Sequence, residues 1–332
     1  MSEPFLLAGR EERREAYLAA SEQTGLPPKI VEKDVWICWT LEVIYGQPDH
    51  FPMAFKGGTS LSKVFDVIDR FSEDIDITVT LPVHNPMEIP GSGSQRKKVT
   101  KKVEAALDAH LDSTVVPLLI AGLESYSSDP GGCVSKIDSE TVVLDYPSCY
   151  SKEGGYLTER VKVEFGARNQ VTPSESHPVT PYVRKVLTDA FSLPTPMVDV
   201  LAGERTFWEK ATLAHDECNR ADLSRGSANR ISRHWYDLSK LADHEIGVGA
   251  LGDRGLLEQV VTIKKAFYAR STSDYDECLN GAFRLVPDAD GVGALRADYG
   301  AMIDAGMFRG EPPDFDSIID RVQILEGAIN AG

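Results

Sequence analysis

Cysteine is scarce in this chain: five residues among 332, at positions 38, 133, 149, 218 and 278, odd in number and never in a CxxC pair. That excludes a zinc ribbon and a disulfide framework, and a reduced, cytoplasmic setting is expected. Basic charge is also in short supply. Lys and Arg number 35 against 51 Asp and Glu, a net charge of −16. A field of that sign argues against broad, sequence-blind binding to nucleic acid, though it leaves room for a local basic groove. No uninterrupted apolar run reaches the roughly 18 residues of a membrane helix, so no membrane partner is expected. The opening "MSEPFLLAGREERREAY" has neither a basic leader nor a small-residue cleavage site, so no signal peptide is expected either. Internal repeats and coiled-coil heptads are lacking too.

What remains is ordinary globular composition, 42% apolar and 26% charged, in a chain long enough for one large or two medium domains. Residues 8–46 read as helices broken by a Pro-Pro turn. "FPMAF" reads as a short buried strand ending at Lys56-Gly57-Gly58. Thr59 is placed to cap a helix over "SLSKVFDVIDR", and "EDIDITVT" alternates like a half-buried strand. "NPMEIPGSGSQ" reads as a loop, Arg96 to about Gly122 as helix, "TVVLDYPS" and "RVKVEFGAR" as strands, and "VTPSESHPVTPY" as a proline-rich connector. From Val200 onward the pattern is helical. The expected division is therefore residues 1–195, N-terminal helices with an α/β core, and residues 196–332, a helical domain.

Two features of the core carry chemistry. Gly57 and Gly58 lack a Cβ, so a phosphate could approach the turn and the helix N-terminus beyond it, with Ser60 offering a hydroxyl and Lys63 a cation. Asp74 and Asp76 alternate on a strand, which puts both carboxylates on one face, where they favour a hard divalent cation such as Mg²⁺. Either feature alone is more often the mark of an ordinary turn or a solvated strand face. Their spacing, with 15 residues between Gly58 and Asp74, fits one helix and a return strand and joins them into one candidate site. In "ERVKVEFGAR" the polar face carries Glu164, which is either a third metal ligand or base or a surface glutamate. Five Lys or Arg fall in residues 96–102, namely Arg96, Lys97, Lys98, Lys101 and Lys102, either a nucleic-acid patch or a solvated helix face.

The pieces "EKDVWICWTL", "FKGGTSLSKVF", "RFSEDIDI", "VKVEFGAR", "ERTFWEKATLAH", "RHWYDLSKL" and "YGAMIDAGMFRGEPPDFDSIID" occur in an order that resembles the AbiEii/AbiGii (MenT-like) toxins. These are nucleotidyltransferases of the DNA polymerase β-like superfamily. The resemblance runs from about Glu32 to about Asp320 and is poorest over 84–145. It implies an α+β fold, a short mixed sheet with helices forming a polymerase-β-like core, followed by a helical C-terminal domain. It further implies transfer of nucleotide from an NTP to an acceptor, the 3′ end of tRNA, with Mg²⁺ or Mn²⁺ as cofactor. The biological setting implied is growth arrest or phage defence, countered by a separately encoded antitoxin. Protein nucleotidylation and non-catalytic nucleotide binding are the rival activities.

By that resemblance the nucleotide-binding set is Lys56, Gly57, Gly58, Thr59, Ser60, Lys63 and Ser72, and the metal set is Asp74, Asp76 and Glu164. The resemblance also places Lys210 towards the nucleotide and makes Asp237 functional. Asp237 sits among Trp235 and Leu238, where a carboxylate is costly unless paired, and Lys210 is its candidate partner. Arg233 and His234 are candidate phosphate or RNA contacts, or plain helix surface.

Overall fold

The computed structural model describes residues 2–86, 88–150, 157–187, 189, 191–220 and 230–332. In chain order its main elements are β1 (Glu3–Pro4), α1 (Arg10–Thr24), α2 (Pro28–Tyr45), β2 (Met53–Lys56), α3 (Gly57–Lys63), β3 (Asp74–Val79), α4 (Gly93–His110), α5 (Val116–Leu123) and α6 (Pro130–Cys133). There follow β4 (Val134–Lys136), β5 (Thr141–Leu144), β6 (Val161–Gly166), β7 (Ser174–Pro178), β8 (Phe191–Ser192) and β9 (Met197–Leu201). The remaining helices are α7 (Gly203–Cys218), α8 (Ser232–Leu241), α9 (Glu245–Gly252), α10 (Arg254–Phe267), α11 (Ala289–Asp304) and α12 (Phe315–Ala331).

Two compact units divide the chain. The first comprises Met1–Asn85, Lys98–Val200 and Gly306–Gly310, the second Pro86–Lys97, Leu201–Ala305 and Glu311–Gly332. A single cut at 195/196 therefore leaves out two excursions. The return of 306–310 is a matter of backbone pairing: Phe71 N–H donates to Met307 O (2.6 Å), Arg309 N–H donates to Asp69 O (2.7 Å), and Arg70 bridges Phe308. No local sequence signal encodes such a pairing.

The first unit is built on a seven-stranded mixed sheet in the order β4-β5-β6-β3-β2-β9-β7. β2 runs antiparallel to β3, β3 parallel to β6, and β2 parallel to β9. β7 falls within the segment expected to be a connector, and as an edge strand it tolerates its prolines. Ile75, Ile77, Val161, Val163 and Phe165 are all buried on the apolar face. α2 starts with Pro28 at its first position, where the missing N–H costs nothing, and Ile30 to Leu41 are buried without a break. Burial on every side, rather than an amphipathic stripe, makes α2 the central helix of this unit.

The helix after the glycines ends at Lys63, so the expected continuation to Arg70 does not form. Asp66 takes a left-handed φ of 49°, and the backbone of 69–71 is used by 307–309 instead. In the second unit, Asp253, Asp288 and Asp314 cap α10, α11 and α12 by accepting backbone N–H groups in the first turn. Trp208 and Trp235 are fully buried and donate their indole N–H groups to Ala250 O (3.1 Å) and Leu285 O (2.7 Å).

Among the described residues, one helical stretch, Gly93–Leu123, is long and apolar enough to cross a membrane by length and composition, with mean hydropathy 1.3 over its best window. The stretch passes on its average and not as the uninterrupted apolar run considered above. Asp108 and Asp112 interrupt the apolar run but not the average, and 28% of the window is buried in the fold.

Candidate active site

β2 delivers the chain to Gly57 in extended conformation, and Gly57 turns it with a φ of +83°. A Cβ at Gly57 would strike the Asp76 carboxylate, and one at Gly58 would lie 2.6 Å from both Arg70 Nη2 and Ser72 Oγ. Glycine is required here for close approach, and the groups that approach belong to the chain itself. The turn is thus locked onto the aspartate strand, with the buried Arg70 guanidinium behind it.

The hydroxyls expected to face a phosphate are turned inward. Thr59 is buried and does not cap the helix; its Oγ1 donates to Asp74 O and stitches α3 to the start of β3. Ser60 is buried as well, and its Oγ donates to Gly57 O (3.0 Å). Lys63, expected on the phosphates, is sealed in the fold. Its Nζ lies 2.5 Å from Asp34 Oδ1 and 4.0 Å from the centre of the Tyr182 ring. Asp34 Oδ2 also accepts the Tyr182 N–H at 2.6 Å. Burial alone would push the Lys63 ammonium down, but the Asp34 charge more than reverses that, and Lys63 remains a cation. The reason for the changed assignment is geometric: α3 is short and buried from Gly58 to Ser62, so its last turn points into the core.

The carboxylates come together by strand register. Asp76 pairs with Lys56 on β2 and with Glu164 on β6, and Asp74 pairs with Lys162. Asp74, Asp76, Lys162 and Glu164 therefore share one face of two adjacent parallel strands, beside the glycine turn. Asp74 is buried and Asp76 half-buried. Ser72 is buried beside Gly58.

Lys162 is a site residue that sequence reasoning missed. Its Nζ lies 2.6 Å from Glu164 Oε1, and both side chains are partly exposed. Burial would lower its pKa, but the hydrogen bond and charge of Glu164, with Asp74 and Asp76 beyond, raise it above the ordinary lysine value. The signal was present in "VKVEF", where Lys162 shares the face of Glu164.

Oxygen donors of this kind suit Mg²⁺ or Mn²⁺. Among the described residues, no group of three or more His, Cys, Asp or Glu is arranged to hold a metal ion. Glu164 is paired with Lys162, and Asp74 and Asp76, side by side on the face of β3, are the candidate donor pair. That fits a Mg²⁺ ion bound through one or two carboxylates plus substrate phosphates, rather than one held in an all-protein cage.

In the second unit, Lys210 on α7 and Asp237 on α8 form the expected pair: Nζ lies 2.8 Å from Oδ2, and both residues are buried. Arg233 and His234 are half-buried on α8. The basic run lies on α4. Lys97, Lys98, Lys101 and Lys102 are exposed there, while Arg96 is half-buried and its Nε donates to Pro90 O (3.0 Å).

A family model described as "Nucleotidyl transferase AbiEii toxin, Type IV TA system" matches residues 42–321. No curated protein matches. Among solved structures, MenT4, a nucleotidyltransferase toxin from Mycobacterium tuberculosis H37Rv, is 18% identical; the match covers 98% of this chain and 99% of that one, with a TM-score of 0.40.

Proposed function

This chain belongs to the AbiEii family of type IV toxin–antitoxin nucleotidyltransferases, and from that membership we propose that it transfers nucleotide from an NTP to the 3′ end of tRNA, at a site centred on Asp74 and Asp76. Membership makes it a nucleotidyltransferase toxin with an NTP substrate and an antitoxin counterpart, in a family that generally uses a divalent metal. The acceptor, the metal as Mg²⁺ or Mn²⁺, a cytoplasmic setting and a role in phage defence are part of the proposal.

The observation that carries it is the register of β3 and β6, which gathers Asp74, Asp76 and Glu164 on one face, with the Gly57 turn against Asp76. The acceptor hydroxyl oxygen forms a bond to the α-phosphorus, the bond to the bridging oxygen breaks, and pyrophosphate leaves. A divalent cation, when bound, supplies charge neutralisation on the triphosphate. Asp74 and Asp76 would hold it. Glu164 is the candidate acceptor of the hydroxyl proton, and its ion pair with Lys162 keeps the carboxylate oriented. Lys210, fixed by Asp237, acts in the transfer step as a preorganised cation. The exposed lysines of α4, with Arg96 and Arg233, are proposed to dock the RNA.

The test is incubation of the protein with each labelled NTP, Mg²⁺ or Mn²⁺ and total RNA, followed by a denaturing gel. Label on tRNA-sized RNA, absent with Asp76→Asn, is the expected result. Label on protein alone would replace the acceptor, and full activity of Asp76→Asn at saturating NTP would remove the metal assignment. Reversing the α4 charges should flatten the salt dependence of RNA binding, by about one unit of slope for each phosphate that is no longer neutralised.

A further inference from the structure

Three consecutive charged residues, Glu32, Lys33 and Asp34, lie in the second turn of α2, and all three are buried. Successive helix positions point about 100° apart, so three such side chains cannot share one partner; they need partners on three sides. Each has one. Glu32 accepts from Ser148 Oγ and from the Cys149 N–H (2.6 Å). Lys33 pairs with Glu73 and donates to Thr158 O (3.0 Å). Asp34 pairs with Lys63 and accepts the Tyr182 N–H.

The partners are not scattered. Lys63 ends the helix that begins at the glycine turn, and Glu73 immediately precedes Asp74 at the start of β3. One rigid helix therefore grips both the glycine turn and the aspartate strand, through two buried ion pairs on neighbouring residues. Buried ion pairs are poor sources of stability, since apolar replacements of similar volume are often neutral or better. What such a pair supplies is register, because its short hydrogen-bonded geometry admits few alternatives. Catalysis of phosphoryl transfer is largely positioning, and a displacement of about 1 Å can cost roughly 10²-fold in rate.

We propose that Lys33 and Asp34 are positioning residues of the transfer site. Lys33 acts through Glu73 on the Asp74–Asp76 strand, and Asp34 acts through Lys63 on the helix that closes the Gly57–Gly58 turn. This rests on the reading of the β3 face as the site of transfer. Neither residue touches substrate. Together they set the spacing between the turn and the carboxylates, and the two ion pairs serve that spacing rather than stability.

The test uses two charge-balanced double variants of the full chain, Lys33→Met with Glu73→Leu and Asp34→Asn with Lys63→Met. Breaking one partner alone risks unfolding, whereas these remove both charges together. Three measurements are made on each: thermal unfolding, kcat and KM for NTP in the transfer assay, and amide hydrogen exchange by mass spectrometry. The expected result is a melting temperature within about 4 °C of the parent. kcat should fall about 10²-fold with KM little changed, as for a loss confined to the transition state. Exchange should rise locally, in 74–79 for the first variant and in 57–63 for the second, while β5 keeps its protection. Parent kcat with parent protection would overturn the proposal and make the pairs mere filling. A uniform rise in exchange would overturn it as well, by showing that the pairs only hold the fold. If the parent transfers no nucleotide, the transfer reading fails, and the exchange measurement still decides whether the two pairs set the turn and the strand.

Discussion

Lys63 and Lys162 each approach one carboxylate to close to 2.5 Å, yet they sit in opposite environments. Lys63 and Asp34 are sealed, with side chains 3% and 0% exposed; Lys162 and Glu164 lie on the open sheet face at 43% and 41%. The sealed pair has given up its water, so each charge relies on the other and on Tyr182, whose N–H donates to Asp34 and whose ring lies under Lys63. The open pair keeps its hydration, and its net worth is expected to be small. Similar pair geometry thus serves two ends. Lys63 fixes backbone, while Lys162 is a hydrated counter-ion on the sheet face that carries Asp74, Asp76 and Glu164.

The comparison breaks most readily at Lys63. Lys63→Met leaves Asp34 buried without its cation and should destabilise the first unit by about 3–5 kcal/mol in urea unfolding. A cost under about 1 kcal/mol would put Lys63 in the same class as Lys162. Next in size is the Lys210–Asp237 pair, sealed like Lys63 but expected to act in transfer. Lys210→Ala and Asp237→Ala should each lower turnover by roughly 10²-fold, and the double variant should be little worse than the worse single one. Effects that multiply independently in steady-state kinetics would separate the two residues.

Lys162→Met should shift unfolding by less than about 1 kcal/mol. Removing a competing cation from the carboxylate face should tighten Mg²⁺ binding by about fivefold, the equivalent of roughly 1 kcal/mol. Calorimetric titration with Mg²⁺ reads this directly, and unchanged or weaker binding would show that Lys162 does not oppose the metal.

The smallest effect is expected at Glu32. Burial outweighs its hydrogen bonds from Ser148 and Cys149 and raises the carboxyl above its usual 4.5. The native state then holds that proton more tightly than the unfolded chain. The resulting stabilisation is complete below pH 4.5 and disappears as pH rises through the raised value. Glu32→Gln should flatten that decline in thermal melts taken from pH 4 upward, and an identical pH slope would show that Glu32 does not cause it.

Much of the site was legible because its periodicity is local. Asp74, Asp76 and Glu164 were readable as same-face strand residues, since alternation has a period of two and needs no knowledge of neighbours. The helices of the second half were readable from their apolar stripes, and Asp237 from the cost of a carboxylate beside Trp235 and Leu238. The placement of Thr59 and Lys63 was not legible, because the groups that take up the hydroxyl and the ammonium, Asp74 O and the Asp34 carboxylate, lie 15 and 29 residues away. The charged tripeptide in α2 was visible as sequence and silent about its purpose, because its partners lie 29 to 148 residues away.

The residue types and their periods determined which elements form and which faces carry carboxylates; both follow from backbone geometry and side-chain polarity over a few residues. Only the tertiary structure decided which charge meets which. It filled the space at Gly57 and Gly58 with Asp76, Arg70 and Ser72, turned Lys63 into the core, and set Lys162 among the acids. The physical reason is desolvation: whether a charge becomes a buried strut or a hydrated counter-ion depends on how much water it keeps, and that is settled by segments far apart in the chain.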